Sequence, residues 1–503
     1  MNRRVIARMV GRILCLEAVL MLPAIIVAAV YHEGRSAVSF GISIFLILAV
    51  GLPCALIKIE DRRFYAKEGF AAVGLTWLML SAFGALPFFF SGVLPNYIDC
   101  FFETVSGFTT TGASVIANVE ALPNSLIYWR SFTQWLGGMG VLVFILAFAT
   151  LTTKNSGESL HLYRAESSGV KASKLVPRMN RNAKILYSIY IVLSAVLFIM
   201  LLFGRVSVFD ALNITFTTAA TGGFGIRLDS MESFSAYTQW VVAIGMFLFS
   251  INFNMFYLLL IKNFKRIFKS EELRVYIIIV LASILLITIN IASSFETMSE
   301  AIRAATFQVT SIMSTTGYYS SDFDLWPQFS RTILFLLMFI GGCAGSTAGG
   351  AKVIRIMMVF KSAKKTVSKA INPNSVRLLY LDGERVANET EASVNGYMIV
   401  YTFILALGVL FVSLNGFDLV TTITSVVTCL NNVGPGLGLV GPTMNFGFFS
   451  YFSKIILSVI MLIGRLEIFP IMVLFSPDMF RRWRNRNSLK IIRENLGDKN
   501  GDI

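Results

Sequence analysis

The sequence predicts an all-α polytopic membrane protein with ten transmembrane helices. Two stand at the N-terminus, and four helix–loop–helix repeats around one axis follow. Three observations carry this reading. Only 14% of the 503 residues are charged and 55% are hydrophobic, whereas ordinary soluble domains run near 25% charged. Apolar runs of about 20 residues recur, the length a helix needs to cross a bilayer. Finally, the polar segments 1–12, 58–68, 151–184, 262–274, 352–393 and 476–503 hold 35 of the 43 Lys and Arg residues and alternate with segments poor in both. That alternation is the positive-inside pattern, and it puts both termini in the cytoplasm.

Along the chain, the first helix is expected near 12–31. It follows the basic MNRRVIARMVGR, is too long for a cleaved leader and shows no small-residue cleavage site, so it reads as retained. A second helix near 39–57 completes an N-terminal pair, residues 1–68. Helices near 69–92 and 128–150 frame the first repeat (69–160). Helices near 184–203 and 236–261 frame the second (161–265). Those near 275–293 and 329–351 frame the third (266–390), and those near 395–414 and 450–475 the fourth (391–480). A basic tail, 481–503, closes the chain.

Other functions are disfavoured by composition. The net charge of +14 sits in segments flanking spans, where lipid headgroups explain it better than nucleic acid, including the tail RRWRNRNSLK. The segment 151–184 is a polar cytoplasmic linker, too short for a domain. The five cysteines are scattered without metal or disulfide spacing. The two histidines, His32 and His161, fall in loops. A membrane enzyme built on intramembrane His, Asp or Glu clusters is therefore not expected.

The repeats show in the outside connections. These read IDCFFETVSGFTTTGAS, FDALNITFTTAATGGFG, EAIRAATFQVTSIMSTTGYYSSD and FDLVTTITSVVTCLNNVGPGLG. Each opens on an acid (Asp99, Asp210, Glu300, Asp418). Each runs through mostly apolar or Ser/Thr residues to a glycine: Gly112, Gly222, Gly317 and Gly434. The following helices are related too. FSRTILFLLMFIGG and FSKIILSVIMLIGR align without a gap, and WRSFTQWLGGMG shares TQW with YTQWVVAIGM.

Each short stretch spans roughly 15–20 Å as a helix at about 1.5 Å per residue, too little for a hydrocarbon core of about 30 Å. It can enter halfway and return. The returning backbone is tolerated only where it lines a protected or aqueous path. Four such strips can turn carbonyls to one axis and replace the hydration shell of a monovalent cation. Glycine supplies the positive φ that such a strip needs. The entering helix points its negative C-terminal end at the axis, and the opening acid suits its N-terminus.

With these strips in view, the chain resembles the Trk/Ktr/HKT superfamily of potassium uptake proteins, most like the bacterial TrkH type, over nearly its whole length. The resemblance implies four degenerate potassium-channel filter strips in one chain, around one pore. Its ion-binding positions would be Thr110, Thr111 and Gly112; Ala220, Thr221 and Gly222; Thr315, Thr316 and Gly317; and Asn432, Val433 and Gly434. It further implies a multi-pass protein of the bacterial cytoplasmic membrane that carries potassium and forms a homodimer. Its partner would be a cytoplasmic TrkA-like ring holding the nucleotide, so no organic cofactor is expected on this chain. The two N-terminal helices resemble those of TrkH and are absent from typical KtrB subunits. Some plant relatives carry serine at the first filter glycine; Gly112 there favours potassium. Sodium-conducting and proton- or sodium-coupled versions stay open as alternatives.

Two more features match the resemblance. In IGGCAGSTAGGAKVIR (340–355), glycines interrupt a helix at about 1 kcal/mol each relative to alanine. Close packing of helices through small residues is one reading. The resemblance implies instead an intramembrane gate, with Gly341, Gly342, Gly345, Ser346, Thr347, Gly349, Gly350 and Lys352 as its residues. Arg465 lies deep in the last span, where an arginine costs at least about 2.5–3.5 kcal/mol and marks a pathway or a pair. The resemblance implies that it faces the pore below the strips; snorkelling or pairing with Glu467 is the alternative. Arg130, Arg331 and Lys454 recur at the starts of three second helices and read as interfacial anchors, with a role in the outer mouth as the alternative. Tyr318 and Tyr319 are expected to brace the third strip from behind.

Overall fold

The computed structural model describes residues 3–58, 66–140, 179–374 and 377–468. Its described residues are mostly helical. The N-terminal pair is α1 (Arg3–Leu20), α2 (Leu22–Val30) and α3 (Gly34–Leu56). The first expected helix thus starts earlier than predicted and breaks at Met21, where Pro23 enters the first turn of α2. Proline is preorganised for that position because the N–H it lacks has no helical partner there. The first repeat opens with α4 (Ala66–Gly84) and α5 (Leu86–Ser91), again broken at a proline, Pro87.

The remaining helices follow the expected order. They are α6 (Tyr97–Phe108), α7 (Asn124–Gly138), α8 (Met179–Phe203), α9 (Val208–Ala219), α10 (Ala236–Phe249), α11 (Phe253–Leu260) and α12 (Phe264–Lys269). Then come α13 (Glu271–Ile291), α14 (Met298–Met313), α15 (Gln328–Ile340), α16 (Val353–Ile371), α17 (Asn388–Val412), α18 (Leu419–Asn431) and α19 (Tyr451–Arg465). A two-stranded hairpin, β1 (Tyr380–Leu381) and β2 (Glu384–Arg385), turns at Asp382-Gly383. Both turn residues have positive φ, 54° and 81°, as a tight hairpin requires.

Six described helices are long and apolar enough to cross a membrane: Arg3–Val30, Gly34–Leu56, Gly69–Ser91, Lys184–Phe203, Glu271–Ser294 and Asn388–Asn415. They are the N-terminal pair and the first helix of each expected repeat. The second helices are shorter. α7, α10, α15 and α19 run 15, 14, 13 and 15 residues, roughly 20 Å each.

Each second helix ends for a visible reason. α10 turns by 92° into α11, with Asn252 capping the new start, so the single helix expected at 236–261 is a bent pair. α15 stops at Gly341, whose φ is 71°, and not at 351. α19 stops at Arg465, followed by Glu467 and Ile468 with φ of 56° and 69°. α7 gives way at Met139; the rest of its expected span, the 151–184 linker up to residue 178 and the tail beyond 468 lie outside the described residues.

The short helices α6, α9, α14 and α18 run 12, 12, 16 and 13 residues, too short to span. Their acids sit at the start, as expected. Asp418 is itself the N-cap of α18 and accepts from Thr421 N at 3.0 Å. In α9 and α14 the caps are Ser207 and Thr297, with Asp210 and Glu300 three residues on. Carboxylates there complement the unpaired N–H groups of the first turn.

Candidate functional site

All four short helices end the same way. The N–H of Thr111, Gly222, Thr316 and Val433 donates to the carbonyl five residues back, at 2.9, 2.8, 2.8 and 2.9 Å. The residue before each donates three residues back, from Thr110, Thr221, Thr315 and Asn432. This pair of bonds is a Schellman motif, which needs a left-handed residue at its turn. That residue is usually glycine; here it is Thr110, Thr221, Thr315 and Asn432, with φ of 55°, 54°, 60° and 55°. A β-branched residue in that region is an outlier, and such strain costs on the order of 1–3 kcal/mol per site.

Two residues further on, each strip has a glycine with positive φ: Gly112, Gly223, Gly317 and Gly434, at 81°, 73°, 83° and 95°. The second strip is therefore in a different register from the expected one. Gly223 stands where Gly112, Gly317 and Gly434 stand, and Gly222 matches Thr111, Thr316 and Val433. Ala220 falls back to the helix end, beside Thr109 and Ser314. In TGG, both glycines satisfy the sequence pattern, and only the turn geometry separates them.

The strips close on one another. A Cβ on Gly112 would stand 2.3 Å from Gly222 O, and one on Gly223 1.8 Å from Thr316 O. One on Gly317 would stand 2.1 Å from Val433 O, and one on Gly434 2.7 Å from Thr111 O. Each glycine thus meets the equivalent carbonyl of the next strip, and the fourth returns to the first. No side chain fits in that cycle. Thr110 Oγ1 and Asn432 Oδ1 are buried without a hydrogen-bond partner.

Polar side chains hold the strips from behind. Gln134 Nε2 donates to Gly222 O at 2.7 Å, and its Oε1 accepts from Phe224 N at 3.1 Å. Asn432 Nδ2 reaches Thr111 Oγ1 at 2.9 Å. Tyr318 hydrogen-bonds Thr217 and Phe224 O, while Tyr319 donates to Leu228 O at 2.6 Å. These two tyrosines thus tie the third strip to the second. Glu103 lies buried on α6 and accepts from Arg130, Ser114 and Val115 N, at 2.6 Å for Arg130.

Arg130 and Lys454 are not interfacial anchors. Both are only 3% exposed. Arg130 pairs with Glu103 and donates to Gly225 O of the next strip at 2.9 Å. Lys454 pairs with Asp99 at 2.6 Å. Arg331, more exposed, pairs with Asp324 at 2.7 Å, and Asp324 accepts from Gly438 N. A buried charge needs such a partner, which here comes from a different element.

Residues 341–352 form a loop folded on itself, which removes the helix-packing alternative. Gly341, Gly345 and Gly350 carry positive φ, and so does Lys352, at 75°. Gly349 N donates to Thr315 Oγ1 of the third strip at 2.6 Å, and Gly350 N to Asn431 O of α18 at 3.0 Å. Gly342 packs against Ser250 and Ala348, Ser346 Oγ donates to Cys343 O at 2.6 Å, and Lys352 Nζ donates to Ala348 O. Thr347 bonds Phe249 O at the bend after α10. Glu272 accepts from Ala344 N at 2.6 Å.

Arg465 lies beside this loop. Its guanidinium donates to Thr347 O at 2.8 Å and Gly138 O at 2.7 Å, and also to Gly137 O. Glu467 pairs with Arg355 at the start of α16, not with Arg465. Arg355 also lies 4.1 Å from the centre of the Tyr397 ring. Of the sequence-predicted residues, the strips and the loop come together, joined by Thr315 and by Asn431 of α18. Glu103, Gln134, Glu272 and Arg355 were not singled out for the site, and Glu467 was named only as an alternative partner of Arg465. Glu103 carried a signal, an acid inside the apolar run FFETVSGF, and Gln134 lies in the TQW triplet shared by two second helices; Glu272 and Arg355 lie in polar flanks where such residues are unremarkable.

The profile of the TrkH family, described as cation transport protein, matches residues 36–482. The chain is 35% identical over 492 residues to the Trk system potassium uptake protein TrkH of Salmonella typhimurium, covering 96% of this chain and 100% of that one. It is 30% identical over 486 residues to the Trk system potassium uptake protein TrkG of Escherichia coli, covering 95% and 99%. The crystal structure of the potassium transporter TrkH from Vibrio parahaemolyticus superposes with a TM-score of 0.85 at 32% identity, over 96% of this chain and 100% of that one. The family is one of transporters and not of enzymes, and this chain belongs to it: it is a membrane protein of the TrkH family of cation transport proteins.

Proposed function

We propose that this chain takes up potassium across the bacterial cytoplasmic membrane through a selective single-file pore, formed by its four repeats around one axis. The observation that carries this is the closed cycle of strips. The carbonyls of Thr111, Gly222, Thr316 and Val433 recur at one level, each against the next strip's glycine. Such a ring can replace the hydration shell of a monovalent cation. The names of the relatives point to potassium as the ion.

Control is set below the ring. The 341–352 loop closes the path and is tied to it through Thr315 and Asn431, and the fixed charge of Arg465 opposes a cation dwelling beneath. A cytoplasmic TrkA-like subunit that binds nucleotide would open the loop, provided it binds the open state more tightly than the closed one. The chain works as a homodimer with one pore per protomer.

The test is growth of a potassium-uptake-deficient strain on limiting potassium, with rubidium and sodium flux measured in vesicles. Wild type is expected to rescue growth and carry rubidium over sodium. Gly317→Ser is expected to lose that preference by an order of magnitude or more. Rescue indifferent to Gly317 overturns the filter assignment, and equal sodium and rubidium flux in wild type favours the sodium-conducting alternative.

A further inference from the structure

A groove of about 590 Å³ runs between α13 and α16, away from the strips. That volume falls within the roughly 300–1,000 Å³ of ligand sites. Its walls are apolar, with Val275 and Ile278 on one side and Met357 and Phe360 on the other. Ile278 and Phe360 are 63% and 73% exposed. In a membrane protein, exposed apolar side chains along a spanning helix such as α13 face hydrocarbon. Polar groups lie at one end only: Glu271, Arg274 and Lys361.

That end is basic. Lys361 pairs with Glu271 and also donates to Tyr380 O at 2.8 Å; Asp382 accepts from Glu271 N at 2.8 Å, with Lys269 beside the adjoining Gly383, and Arg274 adds a further positive charge. The preceding helix α12 reads FKRIFK, with Lys265, Arg266 and Lys269 exposed and Phe264 and Phe268 49% and 75% exposed. Exposed phenylalanines interleaved with cations suit the headgroup boundary of an anionic membrane. The two halves of the groove therefore match the two halves of one kind of molecule: an apolar channel for a tail, and a positive end for an anionic head.

We propose that the groove between α13 and α16 is a binding site for an anionic phospholipid. Its acyl chain lies along Val275, Ile278, Met357 and Phe360, and its headgroup phosphate at Arg274 and Lys361. Ile340 and Val353, the residues on either side of the 341–352 loop, also line this groove. The lipid tail thus packs against both ends of that loop.

The test uses the full-length protein in phosphatidylcholine vesicles containing a phosphatidylglycerol analogue with a photoreactive acyl chain. Irradiation is expected to label peptides covering 275–279 and 353–360. Labelling is expected to drop several-fold in the double variant Arg274→Ala/Lys361→Ala. It is expected to drop equally in Ile278→Trp, which fills the apolar part and keeps the basic end. A phosphatidylcholine analogue with the same tail is expected to label several-fold less. Equal labelling by the two analogues, or labelling unchanged in both variants, overturns the proposal. A disulfide between two copies of Ile278→Cys without lipid label assigns the groove to a second copy and also overturns it. Labelling reads binding whether or not the chain conducts potassium, and rubidium flux from the same vesicles reports the pore separately.

Discussion

Thr315 joins the strips to the loop below them. Its Oγ1 accepts from Gly349 N while its own backbone holds the left-handed turn of the third strip. Thr315→Val keeps the shape and removes the acceptor, leaving a buried N–H unpaired at about 1–3 kcal/mol. The expected outcome is faster hydrogen exchange in peptides covering 341–352, with Thr315→Ser close to wild type. Arg465 acts at the same level through its bonds to Thr347, Gly137 and Gly138. Arg465→Ala removes both the charge proposed as a barrier and these bonds. It is expected to raise rubidium flux into vesicles several-fold in the absence of any partner; unchanged flux sinks the barrier role.

At the scale of elements, the repeated unit is a short helix, a Schellman turn and a strip. Contacts of the second helices follow the same plan. A Cβ on Gly137 would stand 1.8 Å from Phe108 O, and one on Gly464 2.0 Å from Leu430 O, four residues before Gly112 and Gly434 respectively. The register of the second strip can be tested directly. Gly223→Ala forces a left-handed alanine against a backbone carbonyl, Thr316 O. Gly222→Ala meets first the side chain of Gln134, which can move at the cost of its bonds to Gly222 O and Phe224 N. Uptake is expected to be abolished by the first and reduced less by the second, with both variants remaining monodisperse. The reverse order would restore Gly222 as the counterpart of Gly112. The sequence could not decide this, because the choice depends on φ at 221 and 223 and on the neighbouring strip.

Across the whole molecule, charged side chains fasten the expected repeats to one another and to the N-terminal pair. Lys454 of the fourth repeat pairs with Asp99 of the first. Glu33, between α2 and α3, accepts from Asn124 N, Ser125 N and Ser125 Oγ at 2.6, 3.0 and 2.6 Å, so the N-terminal pair caps the second helix of the first repeat. Glu33→Ala removes a charged acceptor for three donors, where one such bond contributes about 1.5–3 kcal/mol. A lower melting temperature in detergent is expected, with rubidium-over-sodium preference unchanged. A shifted preference would mean that this cap also shapes the ring.

The sequence alone determined what depends on composition and on local order. Long apolar runs must be helices in hydrocarbon, because lipid offers the backbone no partner. Basic segments alternate with them, and four glycine-bearing strips recur after short apolar stretches. The glycines at 341–350 announced a break in α15. Tertiary structure alone decided where second helices bend, which glycine of the second strip turns, and which acid each buried base meets. Those outcomes rest on contacts between residues far apart in the chain, such as Arg130 with Gly225, Arg355 with Glu467 and Lys454 with Asp99. A buried charge or carbonyl takes its partner from whatever element packs beside it, and that neighbour is fixed only when the chain closes on itself.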